Sequence, residues 1–434
     1  MTARMTRISP LVLLLAVTAC KDTAKTPAPA PAPVATQTTE QKVPAEVPAP
    51  EAAQAEGPAK LTLQSKVLGQ ERTILVRTPP GYEQGSERFP VLYITDADRN
   101  IGHTATTVQF LAANGRIPEM IVVGIANIDR NHDLTPTHTG FTENGREIPI
   151  PTSGGADKFL EFIESELIPM VESKYRVQPY RVLAGHSFGG LFAMHAFTSK
   201  PDLFNAYIAV SPTLPWDHDM VVKGTEKLLK DKAELDRTLF VSLGNEPGMQ
   251  ASFDQLKKIL GKSKAKGFEW GAEQWMDEDH GSIVMRAHDR GLRKVFAGWQ
   301  LPREKDGSIA GGLPGVEKHF AAVSQRLGYE VKIPEGVINQ IGYQLLLAPE
   351  KKVAEAIEVF KVNVERYPQS ANVHDSLGEA YEAAGKLDLA RAGYQKAIEI
   401  GTAKKDPNLG AYKEHLTGLD KKKDGGKQAS AGTN

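Results

Sequence analysis

The 434-residue chain holds a single cysteine, Cys20. One thiol excludes an intramolecular disulfide framework and a thiolate zinc cluster. The chain also lacks a surplus of either charge: 52 Lys and Arg stand against 53 Asp and Glu. General nucleic-acid binders carry a basic surplus, so no nucleic-acid partner is expected. The sequence contains no Walker-type phosphate loop, no dinucleotide fingerprint and no HExxH helix. His132 and His138 stand without further well-spaced ligands and read as loop residues, so no metal and no cofactor are expected. What remains is an ordinary globular balance of 41% hydrophobic and 24% charged residues. At this length two or three domains are expected.

The lone cysteine has a natural place. Arg4 and Arg7 precede the apolar run Leu11 to Ala19. That run is shorter than the roughly 20 apolar residues that span a bilayer. A basic start, a short apolar core and small residues at its end make a secretory signal. Val17-Thr18-Ala19-Cys20 resembles a bacterial lipobox, in which Cys20 is lipidated and becomes the mature N-terminus. Residues 1–19 then read as a lipoprotein signal peptide. The protein is expected to be exported to the bacterial cell envelope, facing the periplasm and anchored to a membrane by acyl chains. Residues 20–59, in which Pro27, Pro29, Pro31 and Pro33 alternate with small or apolar residues, read as a disordered, extended tether.

From residue 60 the character changes. Leu61–Val67 and Arg72–Arg77 alternate apolar residues as strands do, and Pro79-Pro80-Gly81-Tyr82 ends the second. Val91–Thr95, Ile121–Ile125, Arg181–Ala184, Ala206–Val210 and Thr238–Leu243 are compact apolar runs of the buried, parallel kind. A further strand is expected within Gly267–Met276. Helices are expected over Lys158–Lys174, where Phe159, Phe162, Ile163 and Leu167 share a face, over Leu191–Ser199, around Lys257, and over Val284–Trp299. The alternation predicts an α/β domain over 60–302 with a mostly parallel sheet. A connector at 303–336 leads to a helical segment at 337–418 and a polar, disordered tail at 419–434. In that segment Leu377, Gly378, Tyr381, Ala390, Tyr394 and Ala397 match tetratricopeptide spacing. Ile341, Gly342, Leu345, Ala356, Phe360 and Pro368 form a looser earlier copy. Two copies fall short of the three or so that usually stand alone, so they are expected to pack on the preceding domain or on a protein partner.

Gly185-His186-Ser187-Phe188-Gly189 is a nucleophile-elbow pattern, preceded by the strand Arg181–Ala184 and followed at once by a helix. Flanking glycines let strand and helix approach, which exposes the serine hydroxyl at the carboxyl edge of a sheet. A serine hydroxyl is a weak nucleophile and needs a base. The α/β-hydrolase order is serine, acid, histidine. His280, in a loop after the last expected strand, fits the base; His195 lies on the elbow helix, and His319, His374 and His415 fall in or near the helical region. Glu246, just past Thr238–Leu243, fits the acid best, with Asp254, Asp277 and Asp279 as alternatives. Backbone N–H groups of Phe188 and of the Asp96-Ala97 turn are the expected oxyanion donors. Asp217-His218 reads as a cap or a turn.

Together these motifs, with Ser211-Pro212 after a strand and His280-Gly281-Ser282, resemble the esterase D and enterochelin-esterase-like branch of the α/β-hydrolases over roughly Leu61–Trp299. The resemblance implies a metal-free serine esterase acting on a small-molecule ester, with Ser187 and His280 as nucleophile and base. Arg130-Asn131-His132-Asp133-Leu134-Thr135-Pro136 resembles a segment near the family's substrate cleft, so Asp96, Arg130 and Asp133 are expected to face substrate. Family members often carry Asp-Gly where this chain has Asp96-Ala97, a departure at the expected second oxyanion donor. Some siderophore esterases of the family resemble Ser-His dyads, so triad and dyad both stay open. Family substrates include catecholate siderophore trilactones and feruloylated sugars. Two other readings remain: an inert exported scaffold that recruits a partner through its repeats, and an acyltransferase on the same fold.

Overall fold

The computed structural model describes residues 57–143 and 146–431. The signal peptide, Cys20 and nearly all of the tether lie outside the described residues. Among the described residues are ten strands: β1 (Ala59–Ser65), β2 (Gln70–Arg77), β3 (Phe89–Ile94), β4 (Ile121–Ile125), β5 (Phe141–Glu143), β6 (Arg146–Ile148), β7 (Val177–His186), β8 (Ala206–Val210), β9 (Thr238–Leu243) and β10 (Glu269–Gln274). β5 and β6 form a separate hairpin, and the other eight make one sheet in the order β1-β2-β4-β3-β7-β8-β9-β10. From β4 to β10 in that order neighbours are parallel. β2 runs antiparallel to β4, and β1 antiparallel to β2.

Burial follows position in the sheet. Every residue of β3, β4, β8 and β9 is buried, because helices cover both faces of a parallel sheet. Val91 and Tyr93 of β3 enter one apolar core, Leu92 and Ile94 the other, as the two-residue side-chain period requires. β2, at the edge of the parallel array, alternates buried and half-buried residues instead.

The helical run expected at 158–174 is present but interrupted. Helix Ala156–Phe162 passes through a π-helical turn, Ile163–Leu167, into helix Ile168–Lys174. Pro169 in the next turn has no N–H and its ring crowds the preceding carbonyls, which a wider turn accommodates. Helices Ala97–Ala113 and Trp216–Asp231 carried no clear sequence signal. At the head of the latter, Asp217, His218 and Asp219 are all left-handed, with φ of 44°, 55° and 62°. This turn is held by Ser252 Oγ donating to Asp219 Oδ1 at 2.5 Å.

Beyond Pro302 only an isolated bridge, Arg303 to Ile309, retains strand pairing among the described residues. The connector contains helix Gly312–Leu327, and this helix belongs to two cores at once. Val323 and Leu327 join the sheet residues Ile94, Val182 and Phe240. Val316 and Phe320 join Ile338 and Ile341 of the next helix. Helices Glu335–Leu346 with Val353–Arg366, and Ala371–Ala383 with Leu387–Lys404, form two hairpins. In each hairpin a glycine faces an aromatic ring, Gly342 against Phe360 and Gly378 against Tyr394. The last helix, Leu409–Ala431, continues past 419 into the stretch expected to be a disordered tail. Buried Leu419 anchors it beside Ala390 and Tyr394, and no proline follows to stop propagation. No helix among the described residues is long and apolar enough to cross a membrane.

Candidate active site

β7 ends at His186, and helix Phe188–Ser199 begins after a single intervening residue. Ser187 alone makes the corner. Its φ of 61° and ψ of −117° lie outside the ordinary allowed regions, a strain of about 1–3 kcal/mol that the surroundings must hold. Gly185 and Gly189 allow it: a Cβ on Gly185 would meet the Gly189 carbonyl oxygen at 2.2 Å. A Cβ on Gly189 would meet Thr95 Oγ1 at 2.2 Å and Asp96 Oδ2 at 3.1 Å. The second contact brings the β3 turn against the start of the elbow helix. Two helix N-termini, at Ala97 and at Phe188, therefore meet beside Ser187. First-turn N–H groups have no partner within their own helix and are suited to negative charge.

His280 and Glu246 come together from separate loops. The loop after β9 carries Glu246 and the loop after β10 carries His280. Gly244 backs directly onto the Glu278 and Asp279 carbonyls. His280 Nδ1 lies 2.5 Å from Glu246 Oε2. Glu246 Oε1 accepts from Ser211 Oγ at 2.6 Å and from Gly244 N–H at 3.1 Å. Burial raises the Glu246 carboxyl, but the hydrogen bonds from His280, Ser211 and Gly244 outweigh it and hold the group below the usual glutamate value. The alternative acids are committed elsewhere: Asp277 pairs with Arg286, and Asp279 accepts from the Gly281 and Ser282 N–H groups. Asp254 lies on helix Gln250–Lys262.

His186 supports the His280 loop. Its Nε2–H donates to the His280 carbonyl at 2.6 Å, and the two rings lie 4.7 Å apart. Burial, and then the charge of His280, push the His186 imidazole down to about 4, so it is neutral at ordinary pH. Neither this role nor that of Ser211 was read from the sequence, where both appear only as motif neighbours. A histidine at the end of a buried strand, between glycine and serine, is the one available signal.

The expected substrate-facing residues separate. Asp96, left-handed at φ 55°, is 3% exposed. It is occupied by Arg130 Nε at 2.6 Å and Asn127 Nδ2 at 2.7 Å. Arg130 also donates to the His186 carbonyl at 3.1 Å and lies over the Phe188 ring at 5.3 Å. Phe188 also meets the Trp216 ring, edge-on at 5.3 Å. Arg130 thus ties the β3 turn, the elbow and the β4 loop together while remaining partly exposed. Asp133 is corrected: it is buried and pairs with fully buried Arg72 at 2.7 Å, so it holds the fold and does not line the cleft. A buried arginine requires a buried acid, which the resemblance could not reveal. His132 and His138 contact Asp133 and the Ser153 carbonyl respectively.

The corner can therefore supply a strained serine, an imidazole with Nδ1 fixed by an ionised acid, and convergent N–H donors. These are the parts of an acyl-transfer site.

Comparison with known proteins agrees with this fold. A family model described as "Putative esterase" matches residues 65–257, which include Ser187 and Glu246. The chain is 33% identical over 156 residues to the ferri-bacillibactin esterase BesA of Bacillus subtilis, covering 32% of this chain and 52% of that protein. It is 37% identical over 191 residues to the siderophore triacetylfusarinine C esterase of Aspergillus fumigatus, covering 41% and 64% respectively. The chain thus spans between half and two thirds of the length of these curated relatives. The solved structure of an IroE-like serine hydrolase from Shewanella oneidensis is similar at 30% identity and a TM-score of 0.59, covering 68% of this chain and 96% of that one. By the matched segment and by that near-complete overlap, the chain belongs to the esterase family.

Proposed function

We propose that the protein is a serine hydrolase of carboxylic esters, with Ser187 as nucleophile, His280 as general base and acid, and Glu246 as the orienting acid. The observation that carries this is the 2.5 Å contact between His280 Nδ1 and Glu246, on a loop that His186, the residue before the elbow serine, holds through the His280 carbonyl. With Nδ1 committed, Nε2 is the nitrogen left for Ser187. Ser187 Oγ attacks the ester carbonyl carbon and gives its proton to His280 Nε2. The oxyanion is received by the N–H groups of Phe188 and Ala97. Collapse breaks the carbonyl–alkoxy bond, and His280 returns the proton to the leaving alcohol. Water, deprotonated by His280, then attacks the acyl-enzyme; the acid leaves and Ser187 recovers its proton.

The named relatives act on siderophores, which supports a siderophore-type ester as substrate; an acylated saccharide is the alternative. Cys20 supports lipid anchoring after export to the cell envelope. The spacing of the two helical hairpins supports a tetratricopeptide-like module with a protein partner. Ser187→Ala and a fluorophosphonate label test the core of this reading. Full hydrolysis of a chromogenic short-chain ester by the pure variant, or an unlabelled wild-type Ser187, would sink it. Product analysis with an alcohol acceptor separates hydrolysis from acyl transfer.

A further inference from the structure

Far along the chain from the catalytic loops, another histidine meets two carboxylates. Asp375 and Glu379 lie four residues apart on one face of helix Ala371–Ala383. His415 reaches them from helix Leu409–Ala431. His415 Nδ1 is 3.0 Å from each Asp375 oxygen and 3.7 Å from Glu379 Oε1. One donor atom from each residue lies within 4.8 Å of the other two. A tetrahedral zinc ion with bonds of about 2.0–2.1 Å holds its ligand atoms roughly 3.3–3.4 Å apart. The two imidazole–carboxylate distances bracket that spacing.

The donor set and its surroundings fit the same ion. One imidazole with two carboxylates is a set that zinc accepts. The Tyr343 hydroxyl donates to Glu379 Oε1 at 3.1 Å, the kind of outer contact that orients a metal-binding carboxylate. The Tyr394 ring packs against the His415 ring at 5.5 Å, and its hydroxyl donates to Glu382 at 2.7 Å. Asp375 is buried, and Glu379 and His415 are half-buried. Two carboxylates beside one imidazole leave a negative surplus in a partly desolvated place, which a divalent cation offsets.

We propose that Asp375, Glu379 and His415 form a zinc-type divalent-cation site with three protein ligands and one position for water. The ion would staple the C-terminal helix to the hairpin before it. The site needs no ester chemistry, so it stands or falls apart from the catalytic reading.

The test uses the untagged full chain, stripped with chelator and dialysed against Zn²⁺ alone. Wild type should bind one more zinc ion per chain than His415→Gln or Asp375→Asn. Zinc should raise the wild-type melting temperature by at least about 2 °C and leave both variants unmoved. Circular dichroism and ester hydrolysis of the metal-free variants show that they are folded. If either variant fails that control, Glu379→Gln, which keeps an acceptor for Tyr343, takes its place. Equal zinc stoichiometry in wild type and the folded variants, or no binding at micromolar zinc, overturns the proposal.

Discussion

The catalytic corner and the C-terminal helices each pair an imidazole Nδ1 with a carboxylate, and the two pairs are chemically opposite. At the catalytic corner Glu246 receives two further donors, Ser211 and Gly244, and its carboxyl is held below the usual value. In the C-terminal helices burial raises the Asp375 carboxyl more than His415 lowers it. Glu379 beside it is also raised, by burial first and in part by the charge of Asp375. His415 is raised, because Asp375 and Glu379 outweigh its burial. Extra donors make a carboxylate a fixed negative charge that can steady an imidazolium. Extra acids make a site that holds protons, or a cation in their place. The pair alone does not say which; its neighbours do.

The sharpest way to break the comparison is at Ser187. Ser187→Ala should lower kcat on a short-chain ester by about 10⁴ or more, while Asp375→Asn should leave it within about twofold. Next, Glu246→Gln should lower kcat by about 10²–10⁴ with little change in KM. A loss below about tenfold would instead make the site a dyad. Ser211→Ala removes one donor from Glu246 and should lower kcat about tenfold. It should also move the acid limb of the pH–rate profile upward; an unmoved limb would make Ser211 merely structural.

The smallest effect is on stability. Because the folded-state value of His415 is raised, its contribution is complete below its unfolded value of about 6.5 and is lost as pH rises through the folded value. The raised Asp375 and Glu379 act in the same direction. His186 is the reverse: depressed to about 4, it favours the folded state above about pH 6.5, and that is lost as pH falls toward 4. In metal-free protein, His415→Gln should therefore lower the melting temperature more at pH 5.5 than at pH 8.5, by about 1–2 °C. An equal loss at both would remove the contrast.

Much of this was legible in the sequence because it is local. The buried strands announce themselves as short β-branched runs, and the elbow as glycine at fixed steps around Ser187. Helix Ala97–Ala113 was not legible: His103, Thr104, Thr106 and Thr107 blur its apolar face, and Thr104 is buried only through a 3.1 Å bond to His288. That partner is 184 residues away. Arg72 with Asp133, and Ser211 with Glu246, were missed for the same reason. Each is a polar pair satisfied across the fold, and sequence spacing carries no trace of it.

Helix Gly312–Leu327, shared between two apolar cores, has a mechanical consequence. A flexible linker would let the C-terminal hairpins swing, but a common helix leaves no hinge at that point. Trp299 against Phe320 and Arg326 donating to the Val295 carbonyl at 2.7 Å brace the same junction. The C-terminal hairpins are thereby held to the sheet along one fixed bearing, as by a bracket rather than a leash.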